Sequence, residues 1–119
     1  MDGIGAYKDN TVTTQSRGRI IVLLYEGAIK FCKHAIAEIE KKDWAKKGEY
    51  INKAIDVINE LNACLDTEAG GEIAKNLRGL YVFMTRHLGQ ANLRRDPQRI
   101  REVIGILEEL LEGWAAIAE

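Results

Sequence analysis

The sequence predicts an all-α fold, an antiparallel up-down four-helix bundle with an N-terminal arm or short helix that packs on the bundle. Three observations lead to this prediction. Apolar residues recur every three or four positions in four long segments, which is the spacing of one face of an α-helix. The connections between these segments are only a few residues long, so neighbouring helices are expected to run antiparallel. The 119 residues include one proline, so long helices stay uninterrupted.

The first two helices are predicted over about Arg17–Lys42 and from Asp43 onwards. Asp43 is a suitable N-cap, because its carboxylate can accept hydrogen bonds from the free backbone amides of the first helical turn. The stripe of the first helix consists of Ile20, Ile21, Leu24, Ala28, Phe31, Cys32, Ala35, Ile36 and Ile39. The stripe of the second helix consists of Trp44, Ile51, Ala54, Ile55, Ile58, Leu61 and Leu65.

The sequence DTEAGG predicts a break before the third helix. Two adjacent glycines are unfavourable inside a helix, because glycine loses more backbone entropy on folding than any other residue. The third helix is therefore predicted from Gly71 or Glu72 to about Asn92. Its stripe consists of Ile73, Leu77, Leu80, Tyr81, Met84, Leu88 and Ala91.

The clearest boundary in the chain is the sequence DPQR before the fourth helix. Asp96 is a suitable cap, and Pro97 falls at the first helical position, where its missing N–H is not needed. The fourth helix is predicted to run to about Ala118. Its stripe consists of Ile100, Val103, Ile104, Leu107, Leu110, Leu111, Trp114 and Ile117. We expect an N-terminal arm over residues 1–16 and a four-helix bundle domain over residues 17–119.

Composition excludes several classes of partner. The formal net charge of −1 disfavours nucleic acid, because a phosphate-binding surface needs a clear basic excess. No run of about 18 apolar residues is present, so no membrane insertion is predicted. Cys32 and Cys64 both lie in apolar helical patterns, which is typical of reduced thiols. Met1–Asn10 lacks the apolar run of a signal peptide, so we expect a cytoplasmic protein.

The sequence predicts neither an enzyme nor a metal or cofactor site. A di-iron bundle needs a glutamate three residues before a histidine on two helices. Phe31 and Met84 occupy those positions before His34 and His87. Ser16 is the only serine and lies at a helix start, where capping accounts for it. We therefore expect a binding protein.

The apolar faces of the first and third helices are wider than a bundle core requires. Val22, Leu23 and Ile29 widen the first, and Val82 and Phe83 widen the third. Either loops and the N-terminal arm cover the excess, or it forms an exposed interaction site. Several glycines inside helices leave a similar choice between close helix–helix contact and a shallow groove for a foreign segment. These glycines are Gly27, Gly79, Gly89, Gly105 and Gly113.

Two basic clusters lie at predicted helix ends, over Glu40–Lys47 and Arg94–Arg101. One interpretation is that they are solvated helix ends in which cations interact favourably with the helix dipole. The other is that they form a docking patch for an acidic partner.

Several motifs together resemble the flagellin-specific export chaperone family, FliS. They are IGAY followed by TVTTQS, the helix LLYEGAIKF, the stretch INKAIDVINELNACLDTEAGGEIAKNLRGLYVFM, and the later LGQAN and LLEGW. Each motif alone is weak, but their order and spacing are specific and cover essentially the whole chain. One departure is Ser16-Arg17, where the family commonly has Ser-Pro.

The resemblance implies a function in flagellum assembly. Such a chaperone binds the disordered C-terminal segment of flagellin, prevents premature polymerisation in the cytoplasm and delivers its cargo to the flagellar type III export apparatus through the export-gate protein. The resemblance implies no cofactor. The partner-binding residues that it implies are Ile4, Tyr7, Leu24, Tyr25, Gly27, Ala28, Leu77, Tyr81, Asn92 and Trp114.

Some alternatives stay open at this point. Tyr25, Tyr81 and Trp114 are also suitable core residues of a bundle. We further hypothesise that Ile4 and Tyr7 cover part of the groove when flagellin is absent. The alternative function is a self-associating structural or adaptor bundle without a flagellin ligand, and a weak homodimer of the free protein is also left open.

Overall fold

A computed structural model of the protein describes the backbone of residues 14–117 and the side chains of residues 17–116. This part of the chain forms four helices: α1 (Thr14–Glu40), α2 (Trp44–Ala63), α3 (Thr67–Arg94) and α4 (Pro97–Ile117). It contains no strand, which confirms the predicted all-α class. Most of the expected N-terminal arm lies outside the described residues.

The helices pack as an up-down bundle. Helix α1 packs against α2 and α4, and α3 packs against the same two neighbours. Because the loops between consecutive helices are two or three residues long, each chain reversal is tight. The α1–α2 and α3–α4 loops therefore lie at one end, which we call the two-loop end. The α2–α3 loop, the start of α1 and the end of α4 lie at the other, which we call the one-loop end.

One apolar stripe from each helix builds the core. Burying each large side chain stabilises the fold by about 1.5–3 kcal/mol relative to leaving it exposed. The largest fully buried side chains are Tyr25, Cys32, Ile51, Ile58, Leu61, Tyr81, Met84, Leu88, Ile100, Val103 and Leu107. Most of the predicted stripe positions are either buried in this core or packed against it, as predicted.

The two predicted N-caps are confirmed. Asp43 Oδ1 accepts a hydrogen bond from the backbone N–H of Lys46 at 3.1 Å, and α2 begins at the next residue. Asp96 Oδ1 accepts from the backbone N–H of Gln98 at 3.0 Å, and Pro97 is the first residue of α4. Both carboxylates satisfy amides that have no partner within their own helix.

The predicted start of α3 is wrong by about one turn. The helix begins at Thr67, because Asp66 Oδ1 caps it by accepting from the backbone amides of Glu68 and Ala69 at 3.2 and 3.0 Å. The glycine pair still disturbs the backbone, since Gly71 has non-helical angles of φ 53° and ψ −129°. The expected break is therefore a kink inside α3.

Three residues of the predicted inward stripes are exposed instead. Ile20, Ile73 and Leu80 expose 49%, 72% and 36% of their surface. Ile20 and Leu80 lie on the flanks of stripes that are wider than the core they face, whereas Ile73 lies near the start of α3. Leu23 and Phe83 are exposed as well. At these positions the described part of the chain leaves apolar surface uncovered, as one of the two interpretations of the wide stripes predicts.

The five helical glycines do not serve close helix packing. A Cβ built at Gly27, Gly79, Gly89, Gly105 or Gly113 would meet no heavy atom within 4 Å, apart from the neighbouring residues and backbone of its own helix. The helix-contact interpretation is therefore wrong for them. Gly79 lies in a shallow patch on α3 with Val82, Phe83 and His87, so a groove interpretation fits it.

Candidate functional site

An apolar cleft of about 330 Å³ opens at the one-loop end of the bundle. All four helices contribute to it, and we call it the end cleft. Its apolar lining includes Ile21, Leu61, Leu65, Ala69, Ile73, Ala74, Leu77, Tyr81 and Trp114, with Cys64, Asp66 and Gly70 beside them. This volume is at the small end of the range for ligand pockets. The end cleft therefore suits a few side chains of a partner rather than a folded domain.

The kinked start of α3 shapes one wall of the end cleft. Gly71 turns the backbone out of helical geometry one turn after the cap at Asp66. Small residues on both sides of the kink, Ala69, Gly70 and Ala74, line this wall together with Ile73 and Leu77. A Cβ at Gly70 would lie 2.7 Å from the Cβ of Ala74, so glycine is required there. The kink at Gly71 and the glycine at position 70 thus shape this wall.

Three side chains from different helices form a polar cluster beneath the end cleft. The hydroxyl oxygens of Tyr25 and Tyr81 lie 2.6 Å apart, and one hydroxyl donates to the other. Trp114 Nε1 donates to the Tyr25 hydroxyl at 3.2 Å. We call these residues the tyrosine–tryptophan cluster. It joins α1, α3 and α4, and both tyrosines are almost completely buried.

The end cleft has no charge at its base. Burial raises the pKa of Tyr25 and the pKa of Tyr81 above the ordinary value of 10.0, so both hydroxyls stay protonated at neutral pH. Burial, followed by the nearby Glu60 carboxylate, also raises the pKa of Cys64 at the rim. A neutral, apolar surface with satisfied hydroxyls favours apolar side chains of a partner.

The structure brings four of the predicted partner-binding residues together at the end cleft. Leu77 and Trp114 are partly exposed and line it, whereas Tyr81 lies at its base and Tyr25 lies beneath. A partner in the end cleft can touch Leu77 and Trp114 directly. The two tyrosines support this surface from the core.

The other predicted residues are more dispersed. Leu24 is partly buried against the core, and Ala28 is fully buried within it. A Cβ at Gly27 would meet no heavy atom within 4 Å, apart from the neighbouring residues and backbone of its own helix. Asn92 lies at the two-loop end, where its backbone carbonyl accepts a hydrogen bond from Lys47 Nζ at 2.9 Å. Ile4 and Tyr7 lie outside the described residues.

Sequence reasoning missed several residues that line the end cleft. Ile21, Leu61, Leu65 and Ile73 were all predicted as stripe residues but not as partner-binding residues. The signal that could have found them is their position, because each lies in or beside the part of its helix nearest the one-loop end. At the end of a bundle, an apolar stripe has no further layer of helix to cover it.

A second groove runs between α1 and α4. It has a volume of about 800 Å³, and Ile29, Leu111 and Ala115 form its apolar part. Its rims are charged, and Lys33 Nζ lies 3.7 Å from Glu108 Oε2 across it. Leu111 and Ala115 lie within a turn of Trp114, so the groove and the end cleft use the same part of α4.

The described residues offer little for other chemistry. Among the side chains of residues 17–116, no three histidines, cysteines or carboxylates lie together in a way that could hold a metal ion. Between Thr14 and Ile117, no helix combines the length and the hydropathy that crossing a bilayer requires. What the site presents is an apolar surface for binding.

A family model described as flagellar protein FliS matches residues 1–119. The chain belongs to the FliS family. This result confirms the family that the sequence motifs indicate, and the match extends over the whole chain. Because FliS is a family of chaperones, membership implies a non-enzymatic role.

Several characterised relatives are similar along most of this chain. The flagellar secretion chaperone FliS of Salmonella typhimurium is 44% identical over 121 residues, covering 98% of this chain and 90% of that protein. The flagellar secretion chaperone FliS of Vibrio cholerae is 39% identical over 116 residues, with coverages of 94% and 85%. That of Bacillus subtilis is 34% identical over 109 residues, with coverages of 92% and 80%.

Proposed function

We propose that this chain is a flagellar secretion chaperone that binds the C-terminal segment of flagellin in the cytoplasm. By covering that segment it prevents premature polymerisation and keeps flagellin unfolded for type III export. The chaperone then passes its cargo to the export-gate protein. This proposal agrees with the family, and it is favoured over a self-associating bundle without a flagellin ligand.

The single observation that carries the proposal is the end cleft together with its exposed apolar margin. A disordered segment loses chain entropy when it binds, so it must bury a large apolar area. The end cleft alone is small, but further apolar side chains are exposed on two of its helices, Ile20 and Leu23 on α1 and Leu80 and Phe83 on α3. The proposal assigns them to the surface that the cargo covers. An amphipathic helix with apolar residues at positions i, i+3, i+4 and i+7 fits such a surface.

The predicted site residues take different roles in this proposal. Leu77 and Trp114 contact the cargo, while Tyr25 and Tyr81 hold the surface beneath it. Leu24 and Ala28 keep α1 in position, and Gly27 leaves room for the cargo to approach α1. Asn92 acts at the two-loop end, where it anchors Lys47.

A peptide titration with two matched variants tests the proposal. Ile73 and Leu93 are both on α3 and expose 72% and 79% of their surface, but only Ile73 lines the end cleft. We expect Ile73→Asp to weaken binding of a synthetic flagellin C-terminal peptide by about 10- to 150-fold, the equivalent of one buried apolar side chain. Leu93→Asp is the control and should bind the peptide like the original protein.

Isothermal titration calorimetry gives the affinity and stoichiometry, and circular dichroism gives the change in helicity. Saturable one-to-one binding with a gain in helicity supports the proposal. An unchanged affinity in Ile73→Asp would rule out the end cleft as the cargo site. No binding by the original protein, together with an oligomer that grows with concentration, would favour the self-associating alternative.

The N-terminal arm has a separate role in the proposal. We propose that Ile4 and Tyr7 cover part of the apolar surface when flagellin is absent and leave it when flagellin binds. Deleting residues 1–10 should then raise both the affinity for the flagellin peptide and the tendency of the free protein to self-associate. If both quantities stay unchanged, the arm does not act as a cover.

A further inference from the structure

The two-loop end of the bundle gathers two basic clusters that are far apart in the sequence. Glu40–Lys47 holds four lysines against two acids, and Arg94–Arg101 holds four arginines against one. The up-down topology puts the α1–α2 and α3–α4 loops at the same end, so both clusters meet there. Because the whole chain has a net charge of −1, the rest of the molecule is acidic in balance.

Direct contacts make the two clusters one surface. The guanidinium carbon of Arg95 lies 4.2 Å from the centre of the Trp44 ring, which is a cation–π contact. Lys47 Nζ donates to the carbonyl of Asn92 at 2.9 Å. Leu93 lies in the same stretch and exposes 79% of its surface. We call this surface the basic end, and define it by Lys42, Trp44, Lys47 and residues 93–95.

The cations of the basic end lack carboxylate partners. Among the side chains of residues 17–116, no carboxylate lies within 4.0 Å of a charged nitrogen of Lys42, Arg94 or Arg95. Arg94 Nε instead donates to Gln90 Oε1 at 3.3 Å. Arg95 also lies close enough to Lys47 to lower the pKa of that amine, after the larger effect of burial. The described ion pairs therefore leave Lys42, Arg94 and Arg95 available to carboxylates of a partner.

Two of these cations occupy backbone positions that favour glycine. Lys42 and Arg95 have φ values of 61° and 53°, and no other non-glycine residue described has a positive φ. Each follows a helix C-terminus, where the next amide bonds back to a carbonyl five residues earlier: Asp43 to Glu38 at 2.9 Å and Asp96 to Ala91 at 3.0 Å. Glycine is the usual residue at this position. The left-handed conformation costs a side chain more than a cation gains from the helix dipole.

We propose that the basic end is a docking surface for an acidic segment of a partner protein. Carboxylates of that segment pair with Lys42, Arg94 and Arg95, and an apolar side chain rests on Leu93. Arginine suits this role because its guanidinium can pair with a carboxylate through two parallel hydrogen bonds. The basic end is opposite the end cleft, so the protein can hold cargo and this partner at the same time.

An acidic protein segment fits the basic end better than an anionic membrane does. Acidic residues lie between the cations, at Glu40, Asp43 and Asp96. A continuous anionic lipid surface would meet these carboxylates together with the cations. A peptide can place its own carboxylates on the cations alone. The charge pattern therefore favours a partner whose charges are discrete.

The test uses a synthetic peptide of repeated Asp-Glu-Leu-Glu units, with a peptide of Asn-Gln-Leu-Gln units as its neutral control. We expect the acidic peptide alone to bind, with an affinity that falls as salt is added. The double variant Lys42→Gly/Arg95→Gly should bind it at least tenfold more weakly, although it removes two unfavourable backbone conformations and should unfold at a higher urea concentration. Arg94→Glu should weaken binding similarly without changing the backbone.

Two controls separate this surface from the rest of the protein. Arg19→Glu, an exposed charge reversal near the start of α1, should leave acidic-peptide binding unchanged. The flagellin peptide should bind Lys42→Gly/Arg95→Gly as it binds the original protein, so failure of the basic end and failure of the cargo site are distinguishable.

Three results would overturn the proposal. The first is equal binding of the acidic peptide by the double glycine variant and the original protein. The second is a double glycine variant that is less stable, since the cations would then serve the fold. The third is tight binding to phosphatidylglycerol vesicles without measurable binding of the acidic peptide, which would identify a membrane surface.

Discussion

The tyrosine–tryptophan cluster allows a prediction about protein stability. The size of the loss in each variant depends on how many hydrogen bonds the replaced hydroxyl makes. The Tyr25 hydroxyl is central, because it contacts both the Tyr81 hydroxyl and Trp114 Nε1. The Tyr81 hydroxyl has only the first of these contacts among the described side chains. Replacing either tyrosine by phenylalanine keeps the ring and its packing. Tyr25→Phe therefore removes a hydrogen bond from both Tyr81 and Trp114, whereas Tyr81→Phe removes one from Tyr25 alone.

The magnitudes follow from burial. Tyr81→Phe removes one hydrogen bond, and Tyr25 keeps Trp114 as a donor, so we expect a loss of about 1 kcal/mol in the free energy of unfolding. Tyr25→Phe leaves the buried Tyr81 hydroxyl without its partner and also releases Trp114, which is partly exposed and can bond to water. We expect this variant to lose about 2 kcal/mol. The double variant leaves no buried hydroxyl unsatisfied, so it should lose less than Tyr25→Phe alone.

Urea unfolding followed by circular dichroism at 222 nm measures these losses. In a thermal scan, each 1 kcal/mol should lower Tm by roughly 3–5 °C for a chain of this length. Ile55→Val is a suitable packing control, because it trims a partly buried side chain on α2 without touching a hydrogen bond. The reasoning is refuted if Tyr81→Phe costs as much as Tyr25→Phe, or if the two losses simply add in the double variant.

Other predictions concern the backbone, the thiols and pH. Gly105→Ala should raise the free energy of unfolding by about 0.5–1 kcal/mol, because the added methyl group meets nothing. Gly71→Ala should lower the free energy of unfolding by about 1–3 kcal/mol, because Gly71 has a positive φ. Equal effects of Gly105→Ala and Gly71→Ala in urea unfolding would contradict this prediction. A thiol reagent should label the exposed Cys64 quickly, and the rate should increase as pH rises. It should react with Cys32 only on unfolding, because this thiol is buried and burial raises its pKa to about 12. Equal labelling rates for the two thiols would contradict this prediction. Burial raises the pKa of both buried tyrosines, so the folded state holds their protons more tightly than the unfolded chain. This contribution to stability is complete below pH 10 and should decline as pH rises above it, more steeply in the original protein than in the double phenylalanine variant.

Local sequence chemistry predicted the helices and most of their boundaries. Asp43, Asp96 and Pro97 act within a few residues of their own position, so their capping roles are visible in the sequence. The start of α3 was harder to predict, because the cap at Asp66 that begins the helix is followed closely by the kink at Gly71. The propensity of glycine indicates a disturbance in the helix, but it does not say whether the helix stops or bends.

The candidate site was only partly predictable, because it depends on which helices meet. Periodicity put Tyr81 on an inward face but did not include Tyr25 in the stripe of the first helix, and the hydroxyl contact of the two residues joins positions that are far apart in sequence. It also put Ile73 inside, since a stripe at the end of a helix has the same spacing whether or not a neighbouring helix covers it. Burial at the end of a bundle is a property of the assembled fold, which a single stripe does not encode.

The two tryptophans of the chain stand at opposite ends of the bundle. Trp44 lies under the Arg95 guanidinium, and Trp114 borders the end cleft. Both are partly exposed, so the emission of each indole reports on its own surroundings. With Trp44→Phe the remaining tryptophan fluorescence follows the end cleft alone, and with Trp114→Phe it follows the basic end. The molecule thus carries two optical probes with which events at its two ends can be timed separately, without any attached dye.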